Sequence, residues 1–239
     1  MLSKNLSKWV ENFFGIKIFR NSLPKGMDPV HEISLLANHY SIAIDNFFDV
    51  GANVGQSTLA FKEHFPDSKV HAFEPIDSTI EELKTATSTL NDIKIHPIAL
   101  GAEMEEREVI LGTRSDLFSL NQTFESGNKQ RIKIKTLDSI LKDMQNPCIS
   151  VLKIDTEGHD LRVLEGAQKT LDAGRIEFIQ VETTMLRDNG NFVHINDFTD
   201  FLKPYGYDLM SICNQEGWHI RGPLIYCNAL FLRRKDWYS

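Results

Sequence analysis

The stretch NFFDVGANVGQSTLAFKEHF, residues 46–65, decides the fold class. Its first five residues, NFFDV, form a short apolar run that Gly51 stops, which reads as a buried strand. STLAFKEHF (57–65) then has helical spacing and ends before Pro66. The turn between them, Asp49-Val50-Gly51-Ala52-Asn53-Val54-Gly55, places glycines where a strand becomes a helix. Glycines there let the backbone turn tightly and approach a ligand without a Cβ clash. The spacing is not that of a GxGxxG dinucleotide fingerprint.

Working outward, the alternation continues. KVHAFE (69–74) reads as a second strand, DSTIEELKTATSTL (77–90) as a helix capped by Asp77 or Ser78, and IKIHPIAL (93–100) as a third strand. Pro97 predicts an edge position or an irregular end for it. REVILG and RIKIKTL differ in texture and are separated by a polar, glycine-containing stretch. They predict a small antiparallel insertion after the third strand, with the polar stretch over 112–130 as a flap. LDSILKDM (137–144) reads as a short helix and ISVLKID (149–155) as a strand. HDLRVLEGAQKTLDAG (159–174) reads as one helix stopped by Gly174, and RIEFIQVE (175–182) as a strand. A helix ending near Pro204 precedes YDLMSIC (207–213) and LIYCNALFLRR (224–234), two strands with no clear helix between them. The pattern predicts a mostly parallel sheet with helices on both faces and the last strand antiparallel.

Composition narrows the function. The 239 residues carry 26 Lys+Arg and 33 Asp+Glu, a net charge of −7, which is not the basic footprint of a nucleic-acid binder. No apolar run is long enough for a transmembrane helix. Cys148, Cys213 and Cys227 are odd in number and widely spaced, so neither a disulfide framework nor a zinc cage is expected. The N-terminal stretch is a poor signal peptide, and the expected location is cytoplasmic. Residues 1–40 are expected to form a helical extension packed on a core domain spanning 41–239. Its aromatic face (Trp9, Phe13, Phe14) leaves weak membrane or partner contact as the other reading.

Two further signals carry chemistry. Glu74 ends the second strand, 19 residues beyond Gly55, where a carboxylate accepts both hydroxyl hydrogens of a ribose. Asp155-Thr156-Glu157-Gly158-His159 follows the strand after the insertion. The carboxyl ends of parallel strands face one crevice, so Asp155 is aimed at the same place as Gly51 and Glu74. The plainer readings are Glu157 as a helix cap and His159 as a solvated first-turn residue.

These blocks together resemble the FkbM-type methyltransferases, a branch of the class I S-adenosylmethionine-dependent enzymes. FFDVGANVGQ (47–56), HAFEP (71–75), IALG (98–101), KTLDSIL (135–141), LKIDTEGHDLRVLEGA (152–167) and IQVE (179–182) carry the resemblance. It implies a Rossmann-like, seven-stranded sheet with the last strand inserted antiparallel. It implies S-adenosylmethionine at the glycine loop (Asp49, Gly51, Asn53, Gly55), with Glu74 on the ribose hydroxyls and Pro75 beside it. Ala99 and Leu100 fall at the adenine edge, and Asp155 borders the same crevice. The implied reaction is methylation of a hydroxyl, on a sugar, glycan or polyketide-like acceptor. Candidate bases are Asp155, Glu157, His159 and Glu182. Asp155 and Glu182 end adjacent strands, and the pair offers a divalent cation two ligands, with no obvious third. A nitrogen acceptor and a non-catalytic adenosyl-ligand-binding protein remain the alternatives.

Overall fold

The computed structural model describes residues 25–111, 128–145, 147–187, 192–217 and 222–234. The aromatic N-terminal segment around Trp9 and most of the expected flap (112–127) lie outside the described residues.

Strands β1 (Asn46–Val50), β2 (Lys69–Phe73) and β3 (Ile93–His96) run parallel, with β7 (Ile149–Ile154) and β8 (Ile176–Thr183) on the other side of β1. With β9 over Tyr207–Gly217 and β10 over Leu224–Arg233, the order across the sheet is β3-β2-β1-β7-β8-β10-β9. The last strand, β10 (Leu224–Arg233), enters between β8 and β9 (Tyr207–Gly217), antiparallel to both. This is the expected seven-stranded sheet with its last strand inserted antiparallel.

The central strands are apolar on both faces because helices cover both. On one face, Phe48, Leu152, Ile154 and Ile179 pack against α4 (Leu137–Asp143), α5 (Asp160–Glu165) and α7 (Ile195–Leu202). On the other, Phe47, Val151, Phe178 and Leu230 meet α1 (Pro29–Tyr40) and α2 (Gln56–His64), through Val30, Ile33 and Phe61. The Phe47 and Phe61 rings stack with centroids 3.8 Å apart. Helix α1 starts where Asp28 accepts a hydrogen bond from the His31 amide and Pro29 opens the first turn.

Three local expectations are corrected. IKIHPIAL is two strands: β3 ends at His96, Pro97 has no amide to continue the ladder, and β4 (Ala99–Leu100) joins a second sheet. That sheet, of order β4-β6-β5, contains β5 (Glu105–Leu111) and β6 (Asn128–Lys135) paired antiparallel, which is the expected insertion. Helix α3 (Asp77–Ala86) has Ile76 at its N-cap position without a side-chain cap, so neither Asp77 nor Ser78 caps it. The stretch 159–174 is two helices, α5 and α6 (Gln168–Asp172), broken at Gly166. A Cβ on Gly166 would lie 2.0 Å from the Gly101 carbonyl oxygen, and the Gly166 carbonyl accepts from the Asp138 amide. The Asp138 carboxylate then accepts from the Lys169 and Thr170 amides and caps α6 from another element.

Candidate active site

All the parallel strands point their carboxyl ends at one edge of the sheet, and the cavity lies there. The β1–α2 turn is tied down first. Gly51 and Ala52 amides both donate to the Phe73 carbonyl at the end of β2. Gly51 (φ 75°), Asn53 (φ 49°) and Gly55 (φ 100°) take left-handed backbone angles. A Cβ on Gly51 would sit 1.9 Å from the Asp155 carbonyl oxygen, so β1 and β7 approach too closely there for any side chain.

The cavity has a volume of about 320 Å³. Its walls are Val50 to Asn53, Gln56 and Ser57 around the β1–α2 turn, the Phe73-Glu74-Pro75 end of β2, Ala99 and Leu100 of β4, Lys153 of β7, and Asp155 to Glu157 just after it. Of the residues singled out in the sequence, Gly51, Asn53, Glu74, Pro75, Ala99, Leu100, Asp155 and Glu157 therefore meet at one place.

Glu74 is buried, with its two carboxylate oxygens accepting from the Asn53 amide at 3.1 Å and the Ile76 amide at 3.0 Å. Burial pushes its pKa up to about 6, against the pull of those two amides. Lys153 is the one charged residue of β7, a central strand buried along its whole length. Its ammonium lies 3.2 Å from Asp49 Oδ1 and 3.3 Å from Asp155 Oδ2, and donates to the Gly51 carbonyl at 3.3 Å. Burial disfavours that ammonium, but the Asp155 and Asp49 charges outweigh it and hold its pKa above the ordinary lysine value.

A second group of carboxylates flanks the cavity. Asp155, Glu157 and Glu182 each offer an oxygen, and the three lie within 4.8 Å of one another. Burial pushes Glu182 up to about 9, and the negative charges of Asp155, Glu157 and Asp160 add to it. Asp160 is buried and accepts from the Thr156 hydroxyl and the Gly158 amide, yet burial and Asp155 raise it to about 7. Glu157 is held at φ 53°, a strained angle for a side-chain-bearing residue.

Residues 49–209 match the family described as the methyltransferase FkbM domain. The chain belongs to that family. This FkbM domain is of the S-adenosylmethionine-dependent methyltransferase type. Among curated proteins, the hexuronic acid methyltransferase AglP of Haloferax volcanii is 27% identical over 140 residues, covering 58% of this chain and 55% of that protein. Methyltransferase 1 of Beauveria bassiana is 23% identical over 173 residues, covering 58% of this chain and 70% of that protein. The chain thus spans about half the length of the first relative. Among solved structures, an rRNA methylase from Streptococcus thermophilus superposes with a TM-score of 0.49 at 13% identity, covering 90% of this chain and all of that one. No helix among the described residues is long and apolar enough to cross a membrane.

Within the FkbM domain, three residues singled out in the sequence stand elsewhere than expected. Asp49 is fully buried behind the cavity, where its carboxylate accepts from the Thr58 hydroxyl and pairs with Lys153. Gly55 faces helix α3: a Cβ on it would lie 2.9 Å from the Leu83 side chain. His159 turns its ring against Gly101, and burial, then Arg107 and Arg162, lower its pKa to about 4. It is a packed residue of the insertion side, not a base at the cavity. Glu182 stands beside Asp155, as expected, but outside the cavity wall, and Glu157, singled out only as a candidate base or cap, supplies the third ligand-type group. Lys153 and Asp160 were missed altogether. The signal for Lys153 was present, because a lysine inside ISVLKID is out of place in a strand buried on both faces.

Proposed function

We propose that the FkbM domain transfers the methyl group of S-adenosylmethionine to a hydroxyl, on a sugar or a polyketide-like acceptor, with Glu182 as the proton acceptor. The observation that carries this is the Asp155, Glu157 and Glu182 cluster at the edge of the glycine-loop cavity. When bound, S-adenosylmethionine supplies a methyl group already activated by its sulfonium. The residues present suit it. Glu74 would hold the ribose hydroxyls with the lone pairs its two amide bonds leave free, and the apolar Ala99 and Leu100 wall would take the adenine. The protein's task is then to align an acceptor oxygen and remove its proton. Glu182 would take that proton, since a carboxylate pushed up to about 9 binds it readily. The name of the Haloferax volcanii relative, a hexuronic acid methyltransferase, supports a sugar acceptor.

The sign of the pH dependence follows. A base works in its deprotonated form, so transfer should rise about tenfold per pH unit from 6 to 8 and level off near 9. Labelled methyl transfer onto a panel of neutral sugars, sugar acids, phenols and amines, run across that range, tests both the acceptor class and the slope. Methylation of amines alone would replace the hydroxyl reading.

The same three carboxylates favour a second reading, in which they would hold a divalent cation that would lower the hydroxyl pKa. Glu182 would then be a ligand without a proton to lose, and the profile would be flat across 6 to 9. Activity abolished by EDTA and restored by Mg²⁺ or Mn²⁺ would select this reading.

For the donor, Glu74→Ala is expected to weaken S-adenosylmethionine binding by roughly 1.5–3 kcal/mol, the range for hydrogen bonds to a charged group. Calorimetry on a variant that still folds decides it, and an unchanged dissociation constant removes Glu74 from the donor site.

A further inference from the structure

The charged row beneath the cavity has no assigned role. Asp49 of β1 and Lys153 of β7 are register neighbours in the parallel sheet, and Asp155 follows Lys153 by two residues, just beyond the end of β7. The Lys153 side chain is 4% exposed and reaches three oxygens, those of Asp49, Asp155 and the Gly51 carbonyl. Asp49 is anchored from its other oxygen by the Thr58 hydroxyl at 2.7 Å. The row therefore runs from the helix α2 packing, through Lys153, to the carboxylate that borders the cavity.

A buried ion pair is weak evidence of a stabilising role, since well-packed apolar residues do as well or better in its place. Asp49 and Lys153 could cancel each other without reference to the cavity. Lys153 does more than cancel Asp49, because it also pairs with Asp155, whose side chain is 35% exposed at the cavity wall, and with the backbone of the glycine loop.

We infer that Lys153 is a positioning residue for methyl transfer: it fixes the Asp155 carboxylate at the cavity wall and the Gly51 carbonyl of the glycine loop relative to each other. This rests on the proposed function of the cavity as the place of methyl transfer. Asp155 belongs both to the cavity wall and to the carboxylate cluster beside it, so the ammonium that holds it sets where that carboxylate stands toward an acceptor.

Two variants separate positioning from simple charge balance. Lys153→Met leaves Asp49 and Asp155 without a cation and is expected to destabilise the fold. Lys153→Met with Asp49→Asn removes the inner pair as a neutral swap, and it is expected to restore the thermal midpoint. In that double variant, at pH 7.5, kcat should fall at least about tenfold while the donor KM stays within about threefold. A double variant with a wild-type midpoint and wild-type kcat would overturn the inference, as Lys153 would then only neutralise Asp49. A double variant that fails to fold would overturn it as well, since the charge would then serve stability. The proposed function fails separately, by wild-type protein that methylates no hydroxyl acceptor.

Discussion

Gly51→Ala is expected to lower stability by roughly 3 kcal/mol, from backbone strain and overpacking together. For a domain of this size that is a drop of about 6–12 °C in thermal midpoint. The new Cβ would stand 1.9 Å from the Asp155 carbonyl oxygen, a backbone atom with no rotamer to yield. That oxygen is held because the Asp155 amide donates to the Val50 carbonyl, which closes β1 on β7 at this point. The φ of 75° adds a conformational cost for any residue but glycine. Gly55→Ala should be milder, because the atom it meets is the end of the Leu83 side chain, although its φ of 100° still opposes a Cβ. Thermal melts of the two variants, with S-adenosylmethionine binding measured on whatever folds, check this ordering. A Gly51→Ala midpoint within 2 °C of wild type would mean that the strands do not approach as described.

The glycine turn shows how far a sequence can be read. That Gly51 lies at a strand–helix junction beside a ligand crevice follows from NFFDV and the helix after it. The reason a side chain is excluded there does not, because it depends on the Asp155 carbonyl, about a hundred residues away. The same limit accounts for the helix over 159–174. Its composition is helical throughout, and the break at Gly166 is imposed by Gly101 and by the Asp138 carboxylate, both distant in sequence. Tertiary packing overrode local propensity.

At the site, the residues at strand ends were legible, because parallel topology alone sends Glu74, Asp155 and Glu182 to one edge. What was not legible was the direction of individual side chains. Asp49 and Gly51 are two residues apart, yet one is buried in an ion pair and the other lines the cavity. His159 sits one residue before helix α5, and its ring faces the insertion rather than the crevice. Lys153, hidden in an apolar run, is the residue that links Asp49, Asp155 and the glycine loop.

Replacing Glu182 by Gln tests the proposed chemistry most severely. Loss of a general base costs about 10²–10⁴-fold in rate, and Glu182→Gln should lose this much in kcat with the donor KM within a few-fold. Glutamine keeps the size and hydrogen-bonding reach of the side chain, so packing beside Asn228, its register partner on β10, should be undisturbed. Stability should move the other way. The fold raises this carboxyl from its ordinary value near 4.5 to about 9. Between those values the unfolded chain is ionised at this position while the folded protein holds the proton. The wild-type residue therefore costs stability progressively as pH rises above 4.5, and the cost is complete near 9. Glutamine has no such proton to lose, so the midpoint of Glu182→Gln should exceed that of wild type by a margin that widens from pH 5 to pH 9. A less active but more stable variant is what removal of a strained functional group produces. A near-normal rate in Glu182→Gln would defeat the assignment and pass the role of base to Asp155 or Glu157. A rate loss accompanied by weaker Mn²⁺ binding and no gain in midpoint would favour the cation, because a carboxylate already neutralised by a metal holds no proton for the fold to retain.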